Sequence, residues 1–120
     1  MTRSTQARKG YVGEAEVRSW LRSQGYRDVD RPRAGRHDDV GDISGLPLVV
    51  SVKNHATARP GQWVDELARL IHNAGTDTGV VIHKRRGKGN AQDWFVTMTG
   101  TQFAPFLAAY VAAQTTDRTP

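Results

Sequence analysis

Cysteine is absent from the 120 residues. That excludes disulfides and thiolate metal sites. Long apolar runs are also missing, and none could span a membrane as a helix. The opening Met1-Thr2-Arg3-Ser4 carries charge with no apolar core behind it, so no signal peptide is expected and the cytoplasm is the default location. The four histidines, His37, His55, His72 and His83, have no zinc spacing. Repeats are lacking too. The expected organisation is a flexible N-terminus over 1–7, one domain over 8–114 and a flexible tail over 115–120.

What is present in excess is positive charge, and it is unevenly placed. The net charge is +5. Residues 1–36 carry nine Arg/Lys against four acids, residues 37–82 three against six, and residues 83–120 five against two. Basic flanks suit a polyanion and an acidic centre suits a cation. The plainer reading is a solvated charged surface.

The stretch from Asp42 to Lys53 organises the rest. An acid follows Gly41, the chain turns at Gly45 to Pro47, and a β-branched strand ends in Ser51-Val52-Lys53. Strand side chains alternate, so Ser51 and Lys53 share a face and Val52 points the other way. Folding the hairpin back brings Asp42 near the Lys53 end. An acid and a lysine aimed at one point suit a divalent metal and a phosphate.

Upstream, a helix is expected from about Gln6 to Gln24, closed by Gly25. Its apolar stripe centres on Val17, Trp20 and Leu21. Glu14 falls on that inward stripe, and Glu16 at its edge. An inward carboxylate costs on the order of a few kcal/mol unless it is paired or bound to metal. Glu14 is therefore a candidate site residue, with a salt bridge to Arg18 as the structural alternative. Asp28 to Arg33 reads as a first strand, with Pro32 at its edge. Across this strand and the loop from Arg33 to Asp39, Arg31, Arg33, Arg36 and His37 are placed to clamp phosphates. Asp38 and Asp39 rival Asp42, which is preferred because its link to Lys53 is short and firm.

Downstream, Pro60 and Gly75 bracket a second helix with the core arc Trp63, Val64, Leu67, Leu70, Ile71 and Ala74. Glu66 sits on the border of that arc, with an exposed helix-face glutamate pairing with Arg69 or with a lysine elsewhere as the structural alternative. Before the helix, His55 is a candidate for holding a water or a phosphate, against an ordinary exposed histidine. Thr78 to Lys84 reads as a buried strand and Asp93 to Met98 as another. Between them lies a basic, glycine-rich loop with Lys84, Arg85, Arg86 and Lys88, a natural phosphate gripper with nothing to read bases. Phe103, Phe106, Leu107, Tyr110 and Val111 recur at helical spacing over about Thr101 to Ala113, as core or dimer interface. The order helix, strand, hairpin, helix, strand, strand, helix predicts an α/β fold with a central mixed β-sheet flanked by helices.

Gly41-Asp42 with Ser51-Val52-Lys53 resembles the PD-(D/E)xK nuclease core. Gly41 stands where that family has Pro, and Ser51 where it has Glu or Asp. Lys9-Gly10-Tyr11-Val12-Gly13-Glu14 resembles the N-terminal motif of archaeal-type Holliday-junction resolvases. The loop His83-Lys84-Arg85-Arg86-Gly87-Lys88 before an aromatic strand resembles phage-encoded relatives. Lys53 and Glu66 have twelve residues between them, which resembles a group of restriction endonucleases whose second acid has migrated to the next helix.

The resemblance implies a restriction-endonuclease-like core and a magnesium-dependent, structure-selective DNA endonuclease, with manganese able to substitute. It implies Asp42 as metal ligand, helped by Glu14, Glu66 and the Val52 carbonyl. It further implies Lys53 as the group that orients water or stabilises the transition state, with Ser51 between them. Lys9, Arg31, Arg33, Arg36, His55, Lys84, Arg85, Arg86 and Lys88 would hold DNA. A homodimer would cut paired strands of a four-way junction in recombination or repair, in a bacterial cell or a phage-infected host. The competing readings are an inactive nuclease fold that binds DNA and a duplex-cutting restriction or repair nuclease.

Overall fold

A computed structural model describes residues 5–32 and 40–117. Helix α1 spans Thr5–Ser23, strand β1 Val49–Lys53, helix α2 Pro60–Ala74 and strand β2 Gly79–His83. A short 3-10 turn at Ala91–Asp93, strand β3 at Phe95–Thr97 and helix α3 at Gly100–Asp117 complete the fold. It is an α/β fold with a small mixed sheet flanked by helices.

The sheet runs β1-β2-β3. Strands β1 and β2 are parallel, with Val49 opposite Gly79 and Lys53 opposite His83. Helix α2 is the crossover between them, which is how parallel neighbours are joined. Strand β3 returns antiparallel, with Val81 opposite Thr97.

Alternation along β1 and β2 builds two cores. Val50, Val52, Val80 and Ile82 pack with Val17 and Leu21 of α1, and with Val29, Ile43, Ala91 and Trp94. Val49 and Val81 pack on the other face with Trp63, Leu67 and Leu70 of α2. Both faces of the sheet are covered, which suits its continuous β-branched runs.

The helix ends follow local chemistry. Tyr26 N donates to Leu21 O and Gly25 N to Arg22 O, with Gly25 at φ 102°, which closes α1 in a Schellman motif. Pro60 opens α2, and Gly75 at φ 69° ends it. Helix α3 starts with a reciprocal cap. Gln102 N donates to Thr99 Oγ1 at 3.2 Å and Thr99 N to Gln102 Oε1 at 2.9 Å. Gln102 also fastens α3 to the body by donating to Val64 O, and Thr78 Oγ1 donates to Gln102 O.

Three expectations change. Of the strand anticipated over Asp28 to Arg33, the described residues form a single antiparallel bridge, Asp30 to Ser44. The strand over Asp93 to Met98 shrinks to Phe95–Thr97, because its first residues are taken up by the 3-10 turn. Helix α3 runs on to Asp117, into the segment expected as a tail. The loop residues Arg33, Arg36, His37, Asp38 and Asp39 lie outside the described residues.

Candidate active site

Asp42 lies along the outer edge of β1. Its amide donates to Val50 O at 2.8 Å, and Ile43 bridges Val50. Val52 N then donates to Asp42 Oδ2 at 2.7 Å. This edge amide of β1 is thus capped by a carboxylate.

Gly41 makes this approach possible. Its φ is 104°, and a Cβ there would meet Val49 Cγ1 at 2.9 Å and Val50 O at 3.0 Å. Proline, fixed near a φ of about −65°, cannot adopt this conformation.

Helix α1 supplies the second acid. Gly13 lets the helix close on the end of β1, where an added Cβ would meet Asn54 Cβ at 3.2 Å and Val52 Cγ1 at 3.5 Å. Asn54 Nδ2 donates to Lys9 O at 2.9 Å and holds the contact. The next residue, Glu14, reaches Asp42. Burial, the Asp42 charge and a hydrogen bond with Asp42 push its carboxyl up to about 7, against the opposing pull of Arg31 and Arg18. Glu14, Arg31, Pro32, Gly41 and Asp42 line one open cavity of about 400 Å³. Arg18 is buried, and its Nη1 has no hydrogen-bond partner among the described residues. Its charge faces the acid pair from within α1.

Lys53 projects to the other face of β1, as alternation requires. Its Nζ donates to Glu66 Oε1 at 3.2 Å and Oε2 at 3.3 Å. The lysine side chain is 16% exposed and the glutamate 33%. Ser51 is buried on the same face. Glu66 is thus the partner of the Lys53 ammonium. The candidates approach the end of β1 as two pairs, Glu14 with Asp42 and Lys53 with Glu66.

His83, opposite Lys53 in the ladder, has no motif in the sequence to mark it as a site residue. It is buried, and burial holds its imidazole below the usual value. Its Nε2 lies 2.7 Å from Thr97 Oγ1, and its ring sits between Trp63 and Phe95. The exposed His55 extends the row, 5.7 Å from Trp63.

The basic candidates sit on the rim. Lys84, Arg85, Arg86 and Lys88 are all exposed. Their loop is pinned at three points. Lys88 N donates to Arg85 O across a turn with Gly87 at φ 79°, Trp94 Nε1 donates to Lys88 O, and Ala91 N donates to Glu16 Oε1. Between this loop and α1 runs a groove of about 340 Å³ lined by Tyr11, Val12, Asn54, Lys84 and Trp94 among others. The Arg31 guanidinium lies over the Tyr11 ring at 5.2 Å. Lys9 is half-buried on α1.

Among the described residues, no three of His, Cys, Asp and Glu gather closely enough to hold a metal ion. The Glu14–Asp42 pair nevertheless fits one chemically. Two carboxylates in hydrogen-bonding contact repel when both are ionised, and a hard divalent cation relieves that repulsion. Magnesium is commonly held by one or two carboxylates with water and phosphate oxygens filling the rest. No family model, curated protein or solved structure matches the chain.

Proposed function

We propose that this chain is a magnesium-dependent, structure-selective DNA endonuclease with a restriction-endonuclease-like core, acting on four-way junctions. The observation that carries the reading is the contact between Glu14 and Asp42 at the end of β1. It unites two acids from separate elements beside the strand that presents Lys53.

Asp42 and Glu14 would hold the cation, with the Val52 carbonyl as a further oxygen. When bound, the ion supplies an activated water and neutralises charge on the scissile phosphate. The chain's own residues do the rest. Val52 N fixes one oxygen of Asp42 and leaves its carboxylate oriented towards Glu14. Glu66 holds the Lys53 ammonium in place, and a fixed cation stabilises negative charge that builds on the phosphate. Arg31 and the exposed basic loop would hold the backbone on either side.

A second reading is an inactive nuclease fold that binds DNA. It is favoured by Ser51, which supplies no carboxylate, and by Glu66, which is engaged with Lys53. Incubating the pure chain with a labelled four-way junction and with its component duplexes, in magnesium, manganese or EDTA, separates the readings. Metal-dependent nicking of the junction supports the proposal. Salt-sensitive binding without nicking supports the binding module, and preference for linear duplex supports a restriction or repair nuclease.

A further inference from the structure

The groove between α1 and the basic loop has no part in the cleavage scheme, yet it is built as a site. Tyr11 and Val12 of α1 are 42% and 56% exposed there, large apolar groups left at the surface of a helix. Trp94 lines the same groove from the end of the loop, and Glu16, Asn54 and Lys84 add a carboxylate, an amide and an ammonium. These walls are fastened by the fold itself. Ala91 N donates to Glu16 Oε1, Trp94 Nε1 to Lys88 O and Asn54 Nδ2 to Lys9 O. A pre-formed slot of about 340 Å³, with aromatic walls and a few placed polar groups, has the size and make-up of a site for one small ring system.

Its position identifies that ring. Arg31 lines the cavity of Glu14 and Asp42, and its guanidinium lies 5.2 Å from the centre of the Tyr11 ring. Cavity and groove therefore meet at one cation stacked on one aromatic ring. A phosphate held by Arg31 and a base laid against Tyr11 are within the reach of a single nucleotide. The exposed Lys84, Arg85, Arg86 and Lys88 on the loop side attract the strand's phosphates. Inside the groove, the Glu16 carboxylate repels a phosphate and accepts from the amino group of a base.

We infer, on the strength of the proposed action on branched DNA, that this groove is a pocket for one unstacked nucleobase, laid on Tyr11 beside the phosphate held at Glu14 and Asp42. A base inside a continuous duplex enters only by giving up its pairing and both stacking neighbours. A base at a branch point or bulge has already lost part of that stabilisation, so it enters at lower cost. Stacking on an aromatic ring tolerates any sequence, because every base has a π-face. The pocket thus supplies a preference for DNA structure that backbone contacts alone do not.

Binding without cleavage tests it. In EDTA, fluorescence anisotropy would compare three labelled duplexes: one with a single-nucleotide bulge, the same one with the bulged nucleotide made abasic, and the intact duplex. Wild type should bind the bulged form about tenfold or more tighter than the abasic form. Tyr11→Ala should lose about tenfold or more on the bulged form and about twofold at most on the other two, while Tyr11→Phe, which keeps the ring, should retain most of the affinity. Circular dichroism would establish that both variants are folded, and the abasic comparison needs wild type alone. A 5-iodouracil at the bulge should crosslink to Tyr11 under ultraviolet light. Equal affinity for the bulged and abasic forms, or equal losses on all three duplexes in Tyr11→Ala, or a crosslink outside the groove, would overturn the inference. Nicking in magnesium is scored separately. Base-dependent binding without nicking supports the pocket and counts against the cleavage reading, whereas nicking with no preference for the bulged base over the abasic form overturns the pocket alone.

Discussion

Val52 N and Asp42 Oδ2 lie 2.7 Å apart, and this bond ties the candidate acid to the strand that carries Lys53. The acid has a structural duty as well as a proposed chemical one, and substitutions should separate them. Asp42→Asn keeps an oxygen for the Val52 amide but lowers the charge. It should fold nearly as well as wild type and lose metal-dependent cleavage by a hundredfold or more. Asp42→Ala leaves the amide unpaired and should cost about 1–3 kcal/mol in urea unfolding. Equal stability of the two variants would show that the bond does not matter.

Glu14 makes stability depend on pH. Its carboxyl titrates at about 7 when folded, against an ordinary 4.5. Between those values the folded chain binds more protons than the unfolded one. The contribution of Glu14 is therefore fully present below pH 4.5 and is lost as pH rises to about 7. Melting temperature should fall across this window, and Glu14→Gln should flatten the fall. Parallel profiles for wild type and variant would refute the assignment.

Magnesium should act in the opposite sense to protons at the same pair. At pH 8, where both acids are ionised, millimolar magnesium should raise the wild-type melting temperature. At pH 5, with Glu14 protonated, the rise should largely vanish. Glu14→Gln should shrink the pH 8 effect. A rise independent of pH and of Glu14 would place the cation elsewhere.

The Lys53–Glu66 pair predicts coupled substitutions. It is partly exposed, so its worth to stability is about 1 kcal/mol or less. If Glu66 acts by holding Lys53, Glu66→Gln should reduce cleavage about tenfold without changing the magnesium requirement, and Lys53→Ala should reduce it far more. In the double variant the Glu66 effect should disappear. A raised magnesium requirement in Glu66→Gln would instead make Glu66 a metal ligand.

The exposed loop should set the salt dependence of binding. Removing one phosphate-binding cation, by Arg86→Ala or Lys88→Ala, should reduce the slope of log affinity against log salt by about 0.9. Unchanged slopes in fluorescence anisotropy would remove the loop from the interface.

Where local chemistry is decisive, the sequence alone is enough. Pro60 and Gly75 bound α2 as expected, because one suits the first turn and the other the left-handed exit. The alternation Ser51, Val52, Lys53 places each side chain on its observed face. Glu14 is legible as an inward acid from helical spacing, and it meets Asp42. What is not legible depends on long-range partners. Glu66 could serve a metal or a lysine, and only the packing of α2 on β1 gives it to Lys53. The stripe on α3 has the period of a core helix, yet period does not say whether the chain itself covers that face. Arg18 figures in the sequence only as a salt-bridge partner for Glu14, and its burial is not legible there because the residues that enclose it come from elsewhere in the fold. The cap between Thr99 and Gln102 has a readable signature, Thr-x-x-Gln, that places the start of α3.

If Glu14 and Asp42 form one metal-dependent cleavage site, single-turnover nicking of a labelled four-way junction reads it most directly. Wild type, Glu14→Gln and Asp42→Asn would be compared across magnesium concentrations. Wild type should then nick symmetrically in magnesium and not in EDTA. Glu14→Gln should need more magnesium, and Asp42→Asn should be inactive while still binding the junction. Full cleavage by Asp42→Asn, or tight junction binding with no cleavage by wild type under any divalent metal, would contradict it.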